Sequence, residues 1–493
     1  MQHYNIANSF VGVSSCFPDR TAVSTDNVNM TFSQLLSRAS QIARLLRSDG
    51  VKAGDRIGIA VPQPIDAVSI ALGLWMLDVT ICVIDFRTRA EERTKLSKAF
   101  DFTAIIQART PPGVSGYEAI SASPEFFEKA KSQNSSILLP EPALHPALIS
   151  ATSGTTGTPA GISRNHMTYL MRFLHLRQIE QTGKSLICLP LNNSVALNAA
   201  MMHLLSGGEV VFPAFLSDAE GLAEQLQSTK VSSAFVVPTQ LRGLLGLSAN
   251  SSKPLFPDLK CIRCGGAPTT AEENIRAYRE LSEGYIVSYA SSMIGRISEL
   301  IGSDIVAYPD TVGPPLPLNL LKILRPDGSA AEIGESGIIH VRGPAVCDEV
   351  LGEPRESSDR LVDGWAMPGD LGFLDERGYL TLTGRASDMI IRGGVNVFPR
   401  ELEKLLGTAP GVEEVAVIGY PEKTYGEEIA AVLVLKPGTT PESIQQFAKI
   451  HLTQDKCPRH FHVVEALPIN QMGKVIKREL VAEFVEHLAS EKN

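Results

Sequence analysis

The chain has 493 residues, of which 44% are apolar, 20% charged and 6% aromatic. Its 45 basic and 54 acidic side chains leave a net charge of −9, which excludes a nucleic-acid binder that works by bulk neutralisation of phosphates. The composition is that of a globular protein, neither disordered nor collagenous. At roughly 150 residues per domain, the length allows two to four domains with cores of their own.

Met1 to Phe10 shows no basic cluster followed by an apolar core, so no secretory signal is expected there. The most apolar stretch, Ala67 to Ile84, contains Gly73 and Asp78. A bilayer span needs about 20 apolar residues with few charges, so a buried helix followed by a buried strand is expected instead. The seven cysteines are odd in number and scattered from Cys16 to Cys457, the usage of a reduced, cytoplasmic protein. Cys261 and Cys264 have CxxC spacing, yet no second CxxC or histidine pair completes a zinc site. They close an apolar strand-like run rather than opening a helix, where a redox thiolate would be stabilised. They read as small core residues.

The first clear element is a helix over 32–48, with Phe32, Leu35, Leu36, Ala39, Ile42, Ala43 and Leu46 on one face. Thr31 and Gln34 form a capping-box pattern, and Gly50 supplies the stop. A strand at 57–61, a helix at 67–77 and a strand at 79–84 follow. Helices alternating with continuous apolar strands predict an α/β layered fold. The alternation recurs, with strands at 185–190 and 209–213 flanking a helix at 196–205, then a helix at 222–226 and a strand at 233–237. From Ile305 to Val341 short runs broken by Gly and Pro read as antiparallel β. Leu380 to Thr383 ends that region. After Arg385 a smaller unit follows, with strands at 415–418 and 430–435 and a helix from about 476.

The most unusual stretch is Thr152-Ser-Gly-Thr-Thr-Gly-Thr-Pro-Ala-Gly161, after the apolar run Ala147 to Ile149. Glycine lets consecutive backbone N–H groups turn inward as an anion nest, and Ser or Thr hydroxyls add rotatable donors. Such a stretch can cradle a phosphate chain. It is not a Walker loop, because no Gly-Lys-Ser/Thr follows; taken alone, a flexible surface loop is the alternative.

This stretch resembles the signature loop of the adenylate-forming superfamily: acyl-CoA and aryl-CoA synthetases, peptide-synthetase adenylation domains and beetle luciferases. Other segments resemble further motifs in the family's order. Gly265-Gly266-Ala267-Pro268 is similar to its adenine-pocket segment, Ser288-Tyr-Ala-Ser-Ser-Met293 to its Tyr-Gly-x-Thr-Glu, and Gly369-Asp370 to its Thr-Gly-Asp. Gly384-Arg385-Ala-Ser-Asp388 matches the hinge motif and Gly393-Gly394-Val-Asn396 the glycine loop after it. Pro468-x4-Gly473-Lys474 resembles the C-terminal lysine motif. The resemblance runs from about Thr31 to Leu480 and is closest to the acyl-CoA synthetases.

The resemblance implies that a carboxylate attacks the α-phosphate of ATP, expels pyrophosphate, and passes its acyl group to CoA. The protein must then position two anions and neutralise developing charge. By resemblance, Thr152, Ser153, Gly154, Thr155, Thr156 and Gly157 hold the β- and γ-phosphates. Tyr289 would stack on adenine against the backbone of Gly265, Gly266 and Ala267. Asp370, acceptor-only when ionised, would take the ribose hydroxyls, and Arg385 would add a ribose hydrogen bond. Lys474 would reach the α-phosphate and the carboxylate oxygen as a point charge on a flexible stem. Ser292, at the family's Thr position, would donate to the phosphate or the acyl carbonyl. Outside that context Asp370 reads as a turn residue, Arg385 as half of a surface ion pair, Lys474 as a solvated lysine and Tyr289 as core packing.

The implied architecture is α/β: a large N-terminal domain, 1–386, of layered α/β subdomains with a β-rich lobe, and a small mobile C-terminal α+β domain, 388–493. Rotation about a hinge near 387 would exchange Lys474 for the glycine loop, where Gly394 leaves room for a pantetheine arm.

Four positions depart from the family pattern. Ala160 removes a cation from the phosphate loop. Met293 stands where the family holds Mg2+ with a glutamate, and a thioether is a poor ligand for a hard cation, so the metal ligands stay open. Ser387 and Pro368 occupy the other two. The segment Leu189 to Asn198 resembles one that carries an aromatic residue and a His in acyl- and aryl-CoA synthetases; here those positions are Asn192 and Asn193. With Ala290 they are expected on the acyl pocket, favouring a polar or hydroxylated acid because unpaired buried amides are costly. Capping of a helix that starts near Ser194 is the alternative.

The expected function is therefore an ATP-dependent acid–thiol ligase acting on a small carboxylic acid, with ATP, Mg2+ and CoA. A carrier-protein thiol in place of CoA, or a degenerate relative that binds a nucleotide or acyl-AMP with little turnover, are the alternatives. No nucleic-acid partner and no membrane span are expected.

Overall fold

The computed structural model describes residues 3–109, 116–152, 159–172, 183–213, 218–248, 253–352, 360–393, 395–422, 425–469 and 474–490. The first amphipathic helix runs Phe32–Ser48, and its capping box closes in both directions between Thr31 and Gln34. Its apolar face packs on the helix Pro64–Met76. Gly73 allows that approach, since a Cβ there would lie 2.8 Å from the Ala39 carbonyl oxygen.

Two large sheets build the N-terminal part. One has eight strands in the order Gly295–Ile301, Tyr285–Ser291, Cys261–Cys264, Ser233–Val236, Lys184–Ile187, Glu209–Val211, Thr21–Ser24 and Asn29–Thr31. Its inner pairs are parallel and its two outermost pairs antiparallel. The other has seven strands, with Thr80–Val83, Arg56–Ala60 and Ala104–Gln107 at its centre. Helices cover these parallel strands, which explains their continuous apolar runs. In the eight-stranded sheet the chain leaves Lys184–Ile187 for Glu209–Val211 on one side and then Ser233–Val236 on the other. A switch of this kind opens a crevice at the sheet. Cys261 and Cys264 are buried in their strand as core residues.

A third sheet is wholly antiparallel and includes Leu320–Leu324, Gly337–Arg342, Asp370–Leu374 and Leu380–Arg385. It supplies the expected β-rich lobe. Ile305, expected in this β region, belongs instead to the single helical turn Asp304–Ala307, which drives its side chain into the core. The last sheet is dominated by the long hairpin Val412–Glu422 and Gly426–Leu435, flanked by the helices Pro399–Leu406, Pro441–His451 and Lys477–Ser490. The strand Gly426–Leu435 sends Ile429, Ala431 and Leu433 into one apolar cluster and Ala430 and Val432 into another, the two-residue alternation of a strand covered on both faces. The fold class is thus α/β, with layered sheets and a β-rich lobe before a smaller C-terminal α+β part. No helix among the described residues is long and apolar enough to cross a membrane.

A buried polar cluster ties the N-terminal helix Ile6–Cys16 to this framework. Asp78 accepts the N–H groups of Leu144 and His145 and pairs with His145 Nδ1 at 2.7 Å. Beside it His166, 1% exposed, accepts the Ile6 N–H at Nδ1 over 3.0 Å. Burial pushes the His166 pKa down to about 4. The unfolded chain therefore takes up a proton near pH 6.5 that the folded state refuses until much lower pH, and stability falls as pH drops through that window. The loss from this group reaches at most about 3 kcal/mol. In denaturant titrations at about pH 7 and about pH 4.5, we expect the wild type to lose more stability than His166→Asn, whose amide oxygen can still accept the Ile6 N–H. Equal losses would contradict the assignment.

Candidate active site

Asp370 opens its strand and stands opposite Arg385 in antiparallel register. That register brings Arg385 Nε to Asp370 Oδ1 at 2.8 Å. The other oxygen, Oδ2, accepts the Tyr289 hydroxyl at 2.7 Å. One carboxylate, 9% exposed, thus joins the β-rich lobe to the eight-stranded sheet. Burial first, and the neighbouring carboxylate second, push the Tyr289 hydroxyl well above the usual phenol range, so it stays a donor. Burial works against the charge on Arg385, but Asp370 outweighs it and the guanidinium is held charged.

Gly265 follows the neighbouring parallel strand. A Cβ at this position would lie 2.5 Å from the Ser288 carbonyl oxygen, so only glycine lets the two strand ends come this close. Gly266, at φ +91°, then turns the chain outward, and Ala267 is half-buried. The segment expected to face adenine therefore lies beside the end of the Tyr289 strand.

Lys474 lies just before the helix Lys477–Ser490, next to the bridge between Ile469 and Val475. It is half-buried. Burial, with Arg385 adding to it, lowers its pKa, while Asp388 and Asp370 pull the other way. The lysine is thus within electrostatic reach of the Asp370 cluster. Lys477 fixes the helix start by donating to Glu403 Oε1 at 2.6 Å and to the Val417 carbonyl at 3.0 Å. Arg400 faces the same cluster; burial lowers its pKa, and Glu403 and Asp370 oppose that. Sequence reasoning missed it, because a basic residue in the first turn of a helix carries no spacing signal.

A cavity of about 170 Å³ opens between the eight-stranded sheet and one face of the helix Ser194–Leu205. Of its lining residues Gly266 and Ala290 are exposed, and Ser185, His203 and Ser233 are buried. His203 Nδ1 meets the Ala199 carbonyl at 2.9 Å, and its Nε2 lies 3.1 Å from the Ser233 hydroxyl. A β-bulge between Tyr289 and Ala290 precedes the turn that brings Ser291 and Ser292 to the cavity. The Ser292 carbonyl accepts from Arg164 and Arg172. Asn192 and Asn193 do not line this cavity. Asn193 Oδ1 accepts the Val195 N–H at 2.9 Å and caps the helix, as the alternative reading expected. The amide on the wall is Asn198, one turn further along. Arg172, Arg263 and Arg296 also line the cavity and were missed. Arg263 had a signal: a charged residue amid an apolar strand.

Ser153 to Gly157 and Gly394 lie outside the described residues. Thr152 ends the strand Leu148–Thr152 and pairs with Ala160, so the two strands hold both ends of the loop. Ala160 is buried. Met293 is buried among Ile162, Tyr289, Ile294 and Ile297, an apolar setting that does not fit a Mg2+ ligand. No group of three or more His, Cys, Asp or Glu among the described residues could hold a metal.

Comparison with known proteins identifies the family. Residues 13–349 match the model of the AMP-binding enzyme family, and residues 401–474 match that of the AMP-binding enzyme C-terminal domain. The chain is 29% identical to a 2-succinylbenzoate–CoA ligase of Bacillus licheniformis, over 94% of this chain and 97% of that one. It is 28% identical to a feruloyl-CoA synthase of an Amycolatopsis species, over 95% and 96%. Its fold is similar to that of o-succinylbenzoate CoA synthetase from Bacillus subtilis in complex with the acyl-adenylate intermediate, with a TM-score of 0.84, 24% identity, and coverage of 97% and 98%. The chain belongs to the AMP-binding enzyme family.

Proposed function

We propose that this protein is an AMP-forming acyl-CoA synthetase. A carboxylate and ATP give acyl-AMP and pyrophosphate, and CoA then gives acyl-CoA and AMP. The observation that carries the reading is the buried Asp370 carboxylate, joined to Tyr289 and Arg385 with Lys474 in electrostatic reach. The curated relatives named as CoA ligases support the thiol acceptor, and ATP, Mg2+ and CoA are its co-reactants.

Each oxygen of Asp370 keeps lone-pair capacity beyond its present bond, enough to accept a ribose hydroxyl. Tyr289 and Arg385 hold that carboxylate in place, so binding needs little reorganisation. In the first half-reaction an acid oxygen forms the bond to the α-phosphorus as the bond to pyrophosphate breaks. The Lys474 ammonium is suited to stabilise the charge developing there. In the second, the CoA thiol gives its proton to solvent, its sulfur bonds to the acyl carbon, the acyl carbon–oxygen bond breaks and AMP leaves with that electron pair.

Exchange of Lys474 for the glycine loop requires the part at 388–493 to move against 1–386. The ion pair between Lys404 and Asp310, 2.5 Å long and exposed on both sides, supports that reading. Such a pair contributes little, about 0–1 kcal/mol, and opposes separation weakly. The cysteines carry no disulfide, which supports a cytoplasmic setting.

Acid-dependent pyrophosphate release is expected to fall at least about a hundredfold in Lys474→Ala, with AMP still bound; release at the wild-type rate would contradict the role. The lowered pKa of Lys474 sets the sign of a second test. The active charged form is lost as pH rises through a value below the ordinary 10.5, so the adenylation rate should decline on the alkaline side below that pH. Lys474→Arg should move this decline upward, and a decline that stays in place would contradict the assignment.

A further inference from the structure

The acyl cavity holds more positive charge than one reacting carboxylate can satisfy throughout the reaction. Glu299 Oε1 accepts from Arg263 Nε at 2.8 Å and from Arg296 Nη1 at 3.3 Å, so a single carboxylate already serves two guanidiniums. Arg172 is served differently. Its Nε is shielded from solvent without a hydrogen-bond partner, and its guanidinium reaches the Ser292 carbonyl only at 3.5 Å. Gly295 lies against it; a Cβ there would sit 3.4 Å from Arg172 Cζ. The groups that act on its charge among the described residues are the cations Arg164 and Arg296, the Tyr169 phenol and the Cys347 thiol, with no carboxylate among them. Burial pushes its pKa well down, and Arg164 and Arg296 add to that.

Desolvating a guanidinium without an anion is unfavourable. The reacting carboxylate cannot offset this throughout, because its negative charge disappears when its oxygen bonds to phosphorus. An anion that persists through both half-reactions must sit elsewhere on the acyl group. The Ser288 hydroxyl, buried on the same cavity and without a partner, offers a rotatable donor to it. Val195, Ala199 and Met202 on the wall suit methylene groups, and about 170 Å³ suits a short chain.

Resting on the ligase reading, we propose that the substrate is a short dicarboxylate, activated at one end and held at the other by Arg172 and Ser288. The test compares malonate, succinate, glutarate and adipate with monoacids of equal carbon number. Binding is measured by calorimetry and turnover by AMP release with ATP and CoA, in wild type, Arg172→Met and Ser288→Ala. At least one diacid should bind about tenfold or more tightly than its matched monoacid. Arg172→Met should bring that ratio close to one, and Ser288→Ala should reduce it; the serine variant decides the matter if Arg172→Met does not fold. Equal binding of diacids and monoacids, no binding of either, or a loss in the variants that is equal for both classes would overturn the proposal. Turnover of monoacids without diacid preference discards this inference and keeps the ligase. Arg172-dependent diacid binding without AMP release discards the ligase and keeps the anion site.

Discussion

The arrangement depends on one buried carboxylate. Asp370 accepts from Tyr289 on the eight-stranded sheet and from Arg385 on its own antiparallel lobe, and Lys474 of the C-terminal part lies within its field. A carboxylate this buried is tolerated only when its hydrogen-bond donors are in place. The demand of Asp370 for donors therefore sets how the sheet and the lobe meet. The same demand orients the aromatic ring and the guanidinium at the site.

The strand Tyr285–Ser291 divides the site into two. Successive residues of a strand face opposite ways, and Tyr289 turns to Asp370 while Ser288 and Ala290 line the cavity. The nucleotide end and the acyl end of the proposed reaction thus lie one residue apart on one strand. The close approach at Gly265 keeps the neighbouring strand end against it. The turn after the strand brings Ser292 to the cavity, with Arg164 and Arg172 on its carbonyl. Met293 packs inward behind that turn, so metal coordination cannot come from its side chain as it would from a carboxylate there.

Local signals read well where they are self-contained. The helix Phe32–Ser48 carries its period, its capping box and its stop within twenty residues of sequence, and the α/β alternation follows from apolar runs. Motif resemblance brought Tyr289, Asp370 and Arg385 to notice, but their mutual bonds depend on strand register and on contact between two sheets. Asn193 was ambiguous for a physical reason: an asparagine before a helix can cap it or face a pocket, and only the fold shows its oxygen on the Val195 N–H. Arg172 and Arg400 carry no periodic or motif signal. Their meaning comes only from burial beside other charged groups, which is a tertiary property.

Whether Asp370 anchors the nucleotide is tested most directly by the affinity for AMP, measured by calorimetry in wild type, Tyr289→Phe and Asp370→Asn, each shown to be folded. Asp370→Asn keeps the shape but exchanges one acceptor oxygen for a donor and removes the charge. AMP affinity should fall by at least about tenfold in Asp370→Asn and by less in Tyr289→Phe, which keeps the ring. Unchanged AMP affinity in a folded Asp370→Asn protein would contradict that anchoring role.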